Sequence, residues 1–355
     1  MINYYYKYFI IVSLILLILL KKILIKTKIK KVGIIGLDNH NNIGNNLVKF
    51  AIYIKINELG YDPVIVGKSI LKSNLTFLKT NVKLKEINSS FSEIKENDFD
   101  ILVVNSDQTW LFGGNDYLDI GFLNFSRGWN KKKFIYGTSF GINNWPFSKE
   151  IDINIKNILK NFTGVSVREN CAVDLVQQHL GIKPELVLDP TLLINKKHYL
   201  NLIRNYKGNF DINQNYLCFF LLIKNEQKLN FVKESIKFLN YKNYSINPEI
   251  NDYVEDFLFS IKNSKAVITD SFHGTVFSII FNKPFISFYN YDDGRLPSLG
   301  EILDVSERIF VINQTSYINK SLLTKPLNVN IPKFNLLKKN SLDYLKKNLF
   351  QKGIN

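Results

Sequence analysis

Short apolar runs recur along the chain, each stopped by a polar cluster and most followed by an amphipathic stretch. In the first half they fall at residues 31–37 (KVGIIGL), 61–66, 99–104 (FDILVV), 133–136, 164–167 and 186–188. In the second half they fall at 216–223, 266–269 and from 284 onward, with helical periodicity over 226–239 and 254–263. Runs of four to eight apolar residues read as strands buried on both faces, and a polar tip leading into a helix is the βα step of a parallel sheet. The pattern predicts an α/β protein with two Rossmann-like domains facing a cleft, as in the GT-B architecture. The domains are expected at 32–204 and 216–331, joined by a polar linker at 205–215. A basic amphipathic helix over 332–355 is expected to pack back on the first domain. The G-x-G-x-x-G fingerprint is absent, because Gly33 and Gly36 lie inside the first strand, so a dinucleotide is not implied.

The first 31 residues break this pattern. Tyr8 to Leu20 is apolar apart from Ser13 and extends back to Tyr4 if Lys7 snorkels; the resulting run of about 17 residues is at the short end for a bilayer span. A cleaved signal peptide carries basic residues before its core and small residues after it, whereas here lysines follow. The segment is therefore expected to be a retained transmembrane helix, with an interfacial helix as the alternative. Its lysine-rich flank is expected on the cytoplasmic side, and the globular part with it.

Charge and cysteine content change the picture little. Of the net +15, residues 1–31 supply seven lysines and no acid, leaving 39 basic against 31 acidic residues elsewhere. That dispersed excess suits small anions or a membrane surface, and no nucleic-acid motif accompanies it, so no nucleic-acid partner is expected. The two cysteines, Cys171 and Cys218, lack metal-ligand spacing and read as buried thiols. No metal site is expected.

Candidate chemistry concentrates in 266–288 (AVITDSFHGTVFSIIFNKPFISF), a strand, a polar turn, a short helix and a second strand. The turn sets His273 beside Ser271 and Gly274 at a helix N-terminus, where free amides and the helix dipole favour an anion. Asp107, Ser139, Arg168 and Asp189 stand at the ends of other predicted strands, where α/β proteins gather their ligands. Asp107 and Asp189 have capping a helix or turn as their alternative role, and Arg168 has an ion pair with Glu169 or an interdomain contact. Gly44, near the first helix start, serves either a turn or the close approach of a ligand.

The ordered set NSDQTW (105–110), YGTSFG (136–141), SVRE (166–169), LDPT (188–191) and TDSFHG (269–274) resembles the polysaccharide pyruvyl transferase family. Asn42, Gly44 and Asn45 after the first strand, and GRLPSLGEIL (294–303), extend the resemblance from about residue 31 to 310. The resemblance implies transfer of pyruvate from phosphoenolpyruvate, as donor substrate and without a further cofactor, onto two hydroxyls of a glycan or lipid-linked sugar as a ketal. It implies His273 as general acid/base, and Arg168 and Arg295 as holders of the donor's phosphate and carboxylate. Asn45, Asp107, Ser139, Asp189, Ser271 and Gly274 are then expected to line the substrate site. The chain departs from the family where many members carry arginine–leucine before His–Gly; here Ser271 and Phe272 stand. Two other readings remain: a GT-B-like glycosyltransferase using a nucleotide sugar, and a non-catalytic scaffold for glycan assembly.

Overall fold

The structure is a computed structural model that describes residues 29–37, 42–68, 76–111, 117–208, 211–246, 253–312 and 318–350. The expected membrane helix lies outside the described residues, as does His40. Among the described residues no helix is long and apolar enough to cross a membrane.

Two five-stranded parallel sheets carry the fold. The first contains β1 (Lys31–Ile35), β2 (Asp62–Lys68), β3 (Leu84–Ile87), β4 (Ile101–Val104) and β5 (Lys132–Ile135), in the order β3-β2-β1-β4-β5. A two-stranded annex, β6 (Ser166–Val167) with β7 (Glu185–Leu186), joins beyond β5 through isolated bridges such as Phe134 to Gly164. The second sheet contains β8 (Tyr216–Phe220), β9 (Lys242–Ser245), β10 (Ala266–Thr269), β11 (Phe285–Tyr289) and β12 (Ile309–Val311), in the order β9-β8-β10-β11-β12. Its central strands β10 and β8 are buried at nearly every position, which is why they read as continuous apolar runs.

Three strands had no counterpart in the apolar pattern: β3, β9 and β12. β3 and β9 are sheet edges of partly exposed residues, LKEI and KNYS. An edge strand covered on one side needs no apolar run, so periodicity does not mark it.

Both sheets reverse strand order at one place, and ligands in open α/β sheets bind at such switch points. In the first sheet the reversal lies between β1 and β4, and in the second between β8 and β10. The loops leaving these four strands all reach one cleft, lined by Asn42, Gly44, Asp107, Gln108, Phe220, Ser271, Phe272, His273 and Arg295 among others.

Beneath the cleft the two halves share one hydrophobic core, in which Val32, Ile34 and Phe50 are continuous with Val267, Val276 and Phe277. Tyr199 meets Phe277 edge to face at 4.8 Å, and Asn46 donates across to the Tyr253 hydroxyl. The final helix, Ile331–Leu349, returns to the first sheet: Tyr344 Oη donates to the Ile135 carbonyl at 2.7 Å, and Ser341 Oγ accepts from the Leu188 amide at 2.9 Å.

Candidate active site

The cleft is built around one buried guanidinium. Arg168 follows β6, and each edge of its fork meets a different carboxylate: Nη1 donates to Asp189 Oδ2 (2.5 Å), Nη2 to Asp107 Oδ1 (3.1 Å) and Nε to Glu169 Oε1 (3.1 Å). Its face lies on the Phe272 ring of the other half, with Cζ 4.4 Å from the centroid. All four charged residues are buried. Three of the five N–H groups of Arg168, expected to hold the donor, go to these carboxylates, and the residue is not among those lining the cleft. This arginine holds carboxylates and joins the two domains.

Burial alone would raise the pKa of these carboxyls. For Asp189, the neighbouring His273 and Arg168 outweigh burial and hold the carboxyl well below its ordinary range. For Asp107, burial is likewise outweighed, by Arg168, His273 and the Asn45 amide. For Glu169, burial wins over Arg168 and the Ser139 hydroxyl, and its carboxyl is raised.

Each expected site residue can now be placed. Asp189 caps a 3₁₀ turn: its Oδ1 accepts from the Thr191 amide (2.9 Å) and hydroxyl (2.6 Å), which leaves Oδ2 to Arg168. Asp107 combines its bond to Arg168 with one from Asn45 Nδ2 at 3.2 Å. Its backbone has φ 91°, a left-handed conformation rare outside glycine. Such a residue costs about 1–3 kcal/mol and persists where surrounding bonds fix it; the two side-chain partners do that here. Asn45 Oδ1 is buried without a hydrogen-bond partner.

Ser139 shapes its own loop, its Oγ accepting from the Gly141 amide at 2.9 Å, and it does not line the cleft. Ser271 is the N-cap of the helix Phe272–Ile280 and accepts from the Gly274 amide at 3.2 Å. Gly274, expected to line the substrate site, is thus capped, and a Cβ there would run into Thr269, so this position packs helix closely on strand. The amides of Phe272 and His273 are left without an acceptor among the described residues. Arg295 lines the cleft, but Nε and Nη2 grip Asp293 at 3.0 and 2.7 Å, so Nη1 and the second N–H of Nη2 remain for a ligand among the described residues.

His273 is the group left over. It reaches from the second half to the first, where its imidazole lies against Gly44; a Cβ at that glycine would overlap Nδ1. Gly44 therefore serves close approach, and the approaching group is a side chain of the same protein. Nε2 lies 3.8 Å from Asp189 Oδ2, beyond hydrogen-bond reach, and is buried without a partner. Buried polar atoms are nearly always paired, so Nε2 stands out among the described residues, and His273 is one of the residues lining a cavity of about 300 Å³. That volume is at the small end for ligand sites.

Sequence reasoning missed Gln108, Glu169 and Phe272 as site residues, although each sits inside a motif that resembled the family. Gln108 lies so close to Gly141 that a Cβ there would collide with its amide. Cys171, expected to be buried, is only half-buried; it sits beside Gly294, and its thiol is pushed up to about 11 by burial and by Glu169. Cys218 is buried as expected. Among the described residues no group of three His, Cys, Asp or Glu side chains is arranged to hold a metal ion.

This architecture, two α/β domains closing on a cleft at their strand tips, is GT-B-like. The chain resembles the UDP-GlcNAc 2-epimerase of Neisseria meningitidis bound to UDP-GlcNAc, with a TM-score of 0.56, 8% identity, and coverage of 90% of this chain and 99% of that one. It also resembles the Methanocaldococcus jannaschii UDP-GlcNAc 2-epimerase in complex with UDP-GlcNAc and UDP (TM-score 0.51, 14% identity, 89% and 99% covered). At these identities the likeness shows the fold alone. No curated protein matches the chain at a significant level. The family model for polysaccharide pyruvyl transferase matches residues 42–293, most of the chain. The protein belongs to the polysaccharide pyruvyl transferase family and is a transferase.

Two substitutions test this geometry. Arg168→Met leaves Asp107 and Asp189 buried without their counter-charge, and breaking a buried pair this way costs about 3–5 kcal/mol; urea unfolding at neutral pH should show that loss, and a change under about 1 kcal/mol would contradict it. Gly44→Ala should cost about 1–3 kcal/mol by overpacking against the imidazole. In a His273→Ala background the same change should cost almost nothing, a non-additivity that a double-mutant cycle reads directly.

Proposed function

We propose that the cleft binds phosphoenolpyruvate and transfers its pyruvyl group onto two hydroxyls of a glycan or its lipid-linked precursor. The observation that carries this reading is His273 in the lining of the cavity, its Nε2 without a hydrogen bond and 3.8 Å from Asp189 Oδ2, in a chain of the pyruvyl transferase family. The first-turn amides of Phe272 and His273 and the remaining N–H groups of Arg295 supply donors for an anion. The protons balance within the reaction. One sugar hydroxyl attacks C2 as the methylene carbon C3 gains a proton. Phosphate leaves C2, and the second hydroxyl closes the ketal. Of the two hydroxyl protons, one ends on the new methyl group and the other on phosphate. A single imidazole that takes a proton from oxygen and gives one to carbon suffices for this traffic. Asp189, whose Oδ2 lies 3.8 Å from the ring, is the group placed to stabilise the imidazolium between the two transfers.

In the same reading residues 4–20 hold the protein to the membrane, with the globular part on the cytoplasmic side, where lipid-linked precursors are within reach. The aromatic residues Tyr4, Tyr5, Tyr6 and Tyr8 at one end and the lysines at the other suit such a placement.

Titration calorimetry on the full-length protein in detergent tests the donor. Phosphoenolpyruvate should bind saturably, and Arg295→Ala should weaken it about tenfold or more, the worth of one hydrogen bond to a charged group. His273→Gln should leave binding within a few-fold and lower turnover by about 10²–10⁴. Binding of a uridine diphosphate sugar with no response to phosphoenolpyruvate would favour the glycosyltransferase alternative. Full function in His273→Ala would favour the scaffold.

A further inference from the structure

We propose that the edge of the first sheet at which its strands begin, opposite the cleft, is a docking surface for an anionic lipid bilayer. The proposal builds on the membrane placement above and adds a second contact to it.

Parallel strands have two unlike ends. The carboxyl ends carry the cleft, and the amino ends carry the entry of the chain at Ile29 and Lys30 just before β1, together with the start of β5 at Lys132. At most about 30 Å of extended chain can separate Ile29 from Leu20, the last residue of the apolar run. A bilayer holding that run must therefore lie near this edge.

What stands on the edge fits such a neighbour. A groove of about 520 Å³ opens there, where the helices Lys149–Leu159 and Asn170–Leu180 and the final helix all end. Lys156, Lys160, Lys183 and Lys347 line it, and Glu185 is the one acid among its lining residues. Beside it Lys132 Nζ donates to the Phe350 carbonyl at 2.7 Å. Burial and the neighbouring Lys30 push the Lys132 ammonium down. Flanking these cations are two exposed apolar side chains, Ile29 at 64% and Phe350 at 63%. Lysines that reach phosphate oxygens, with a few apolar side chains that enter the headgroup layer, are the two components of peripheral membrane binding. The charge on this face continues that of Lys21, Lys22, Lys26 and Lys28 in the preceding chain.

Hydrogen exchange on the full-length protein in lipid nanodiscs tests this. Discs of phosphatidylcholine alone are compared with discs that also contain phosphatidylglycerol. Backbone amides in 156–164, 181–185 and 346–350 should exchange more slowly on the anionic discs, and those in 269–274 should not change. The triple variant Lys156→Glu/Lys160→Glu/Lys183→Glu should erase the difference, as should 0.5 M salt, roughly the screening expected when the Debye length falls to a few ångströms. Equal exchange on both discs would overturn the proposal while leaving the anchor intact. A chain that enters neither disc would instead overturn the anchor. In that case sedimentation with liposomes still decides the surface: binding to anionic and not to neutral liposomes, weakened about fivefold or more per lysine reversed, supports it, and no sedimentation with either overturns it.

Discussion

The Arg168 guanidinium is the constraint on which the cleft depends. It is a permanent positive charge, and together with His273 it holds the carboxyls of the buried Asp107 and Asp189 below their ordinary range. Fixing those carboxylates fixes more than charge. Asp107 holds the positive φ that turns the chain after β4, and Asp189 caps the turn after β7 and presents an oxygen toward His273. The face of the same guanidinium rests on Phe272, so the alignment of the two domains and the electrostatics of the cleft share one side chain. Electrostatic preorganisation of this kind is usually the largest contribution an enzyme makes to rate.

The cleft is also shaped by what is missing. Gly44 has no side chain, and into that space comes the imidazole of His273 from the other half. A histidine pressed on a helix N-terminus by one domain and carried on a helix N-terminus by the other has little rotational freedom. Its Nε2 is held 3.8 Å from Asp189 Oδ2. The cleft lies at one end of the strands, and at the other Lys156, Lys160, Lys183 and Lys347 line a groove.

Much of this was legible in the sequence, for physical reasons. Buried strands such as AVIT and ILVV must be apolar throughout, and the polar tips after them stand out against that background. The histidine turn could be read as a helix N-terminus because Ser271 at the cap has a clear local signature. What could not be read was pairing at a distance. Nothing near Arg168 in the sequence says that it faces Asp107, 61 residues away, as well as its neighbour Glu169. Gly44 signalled close approach without saying what approaches, because the answer lies 229 positions on. The edge strands β3 and β9 escaped notice because half-exposed residues leave no apolar run.

The central claim is that His273 moves a proton onto the donor's methylene carbon as the pyruvyl group is transferred. It is tested most directly by running the reaction in heavy water, with phosphoenolpyruvate, the full-length protein and a lipid-linked glycan extract as acceptor, and reading the new methyl group by proton NMR. The account predicts a methyl group carrying one deuterium, formed with an equal amount of phosphate, and both products formed about 10²–10⁴ times more slowly by His273→Gln. A ketal formed at the native rate by His273→Gln would contradict it.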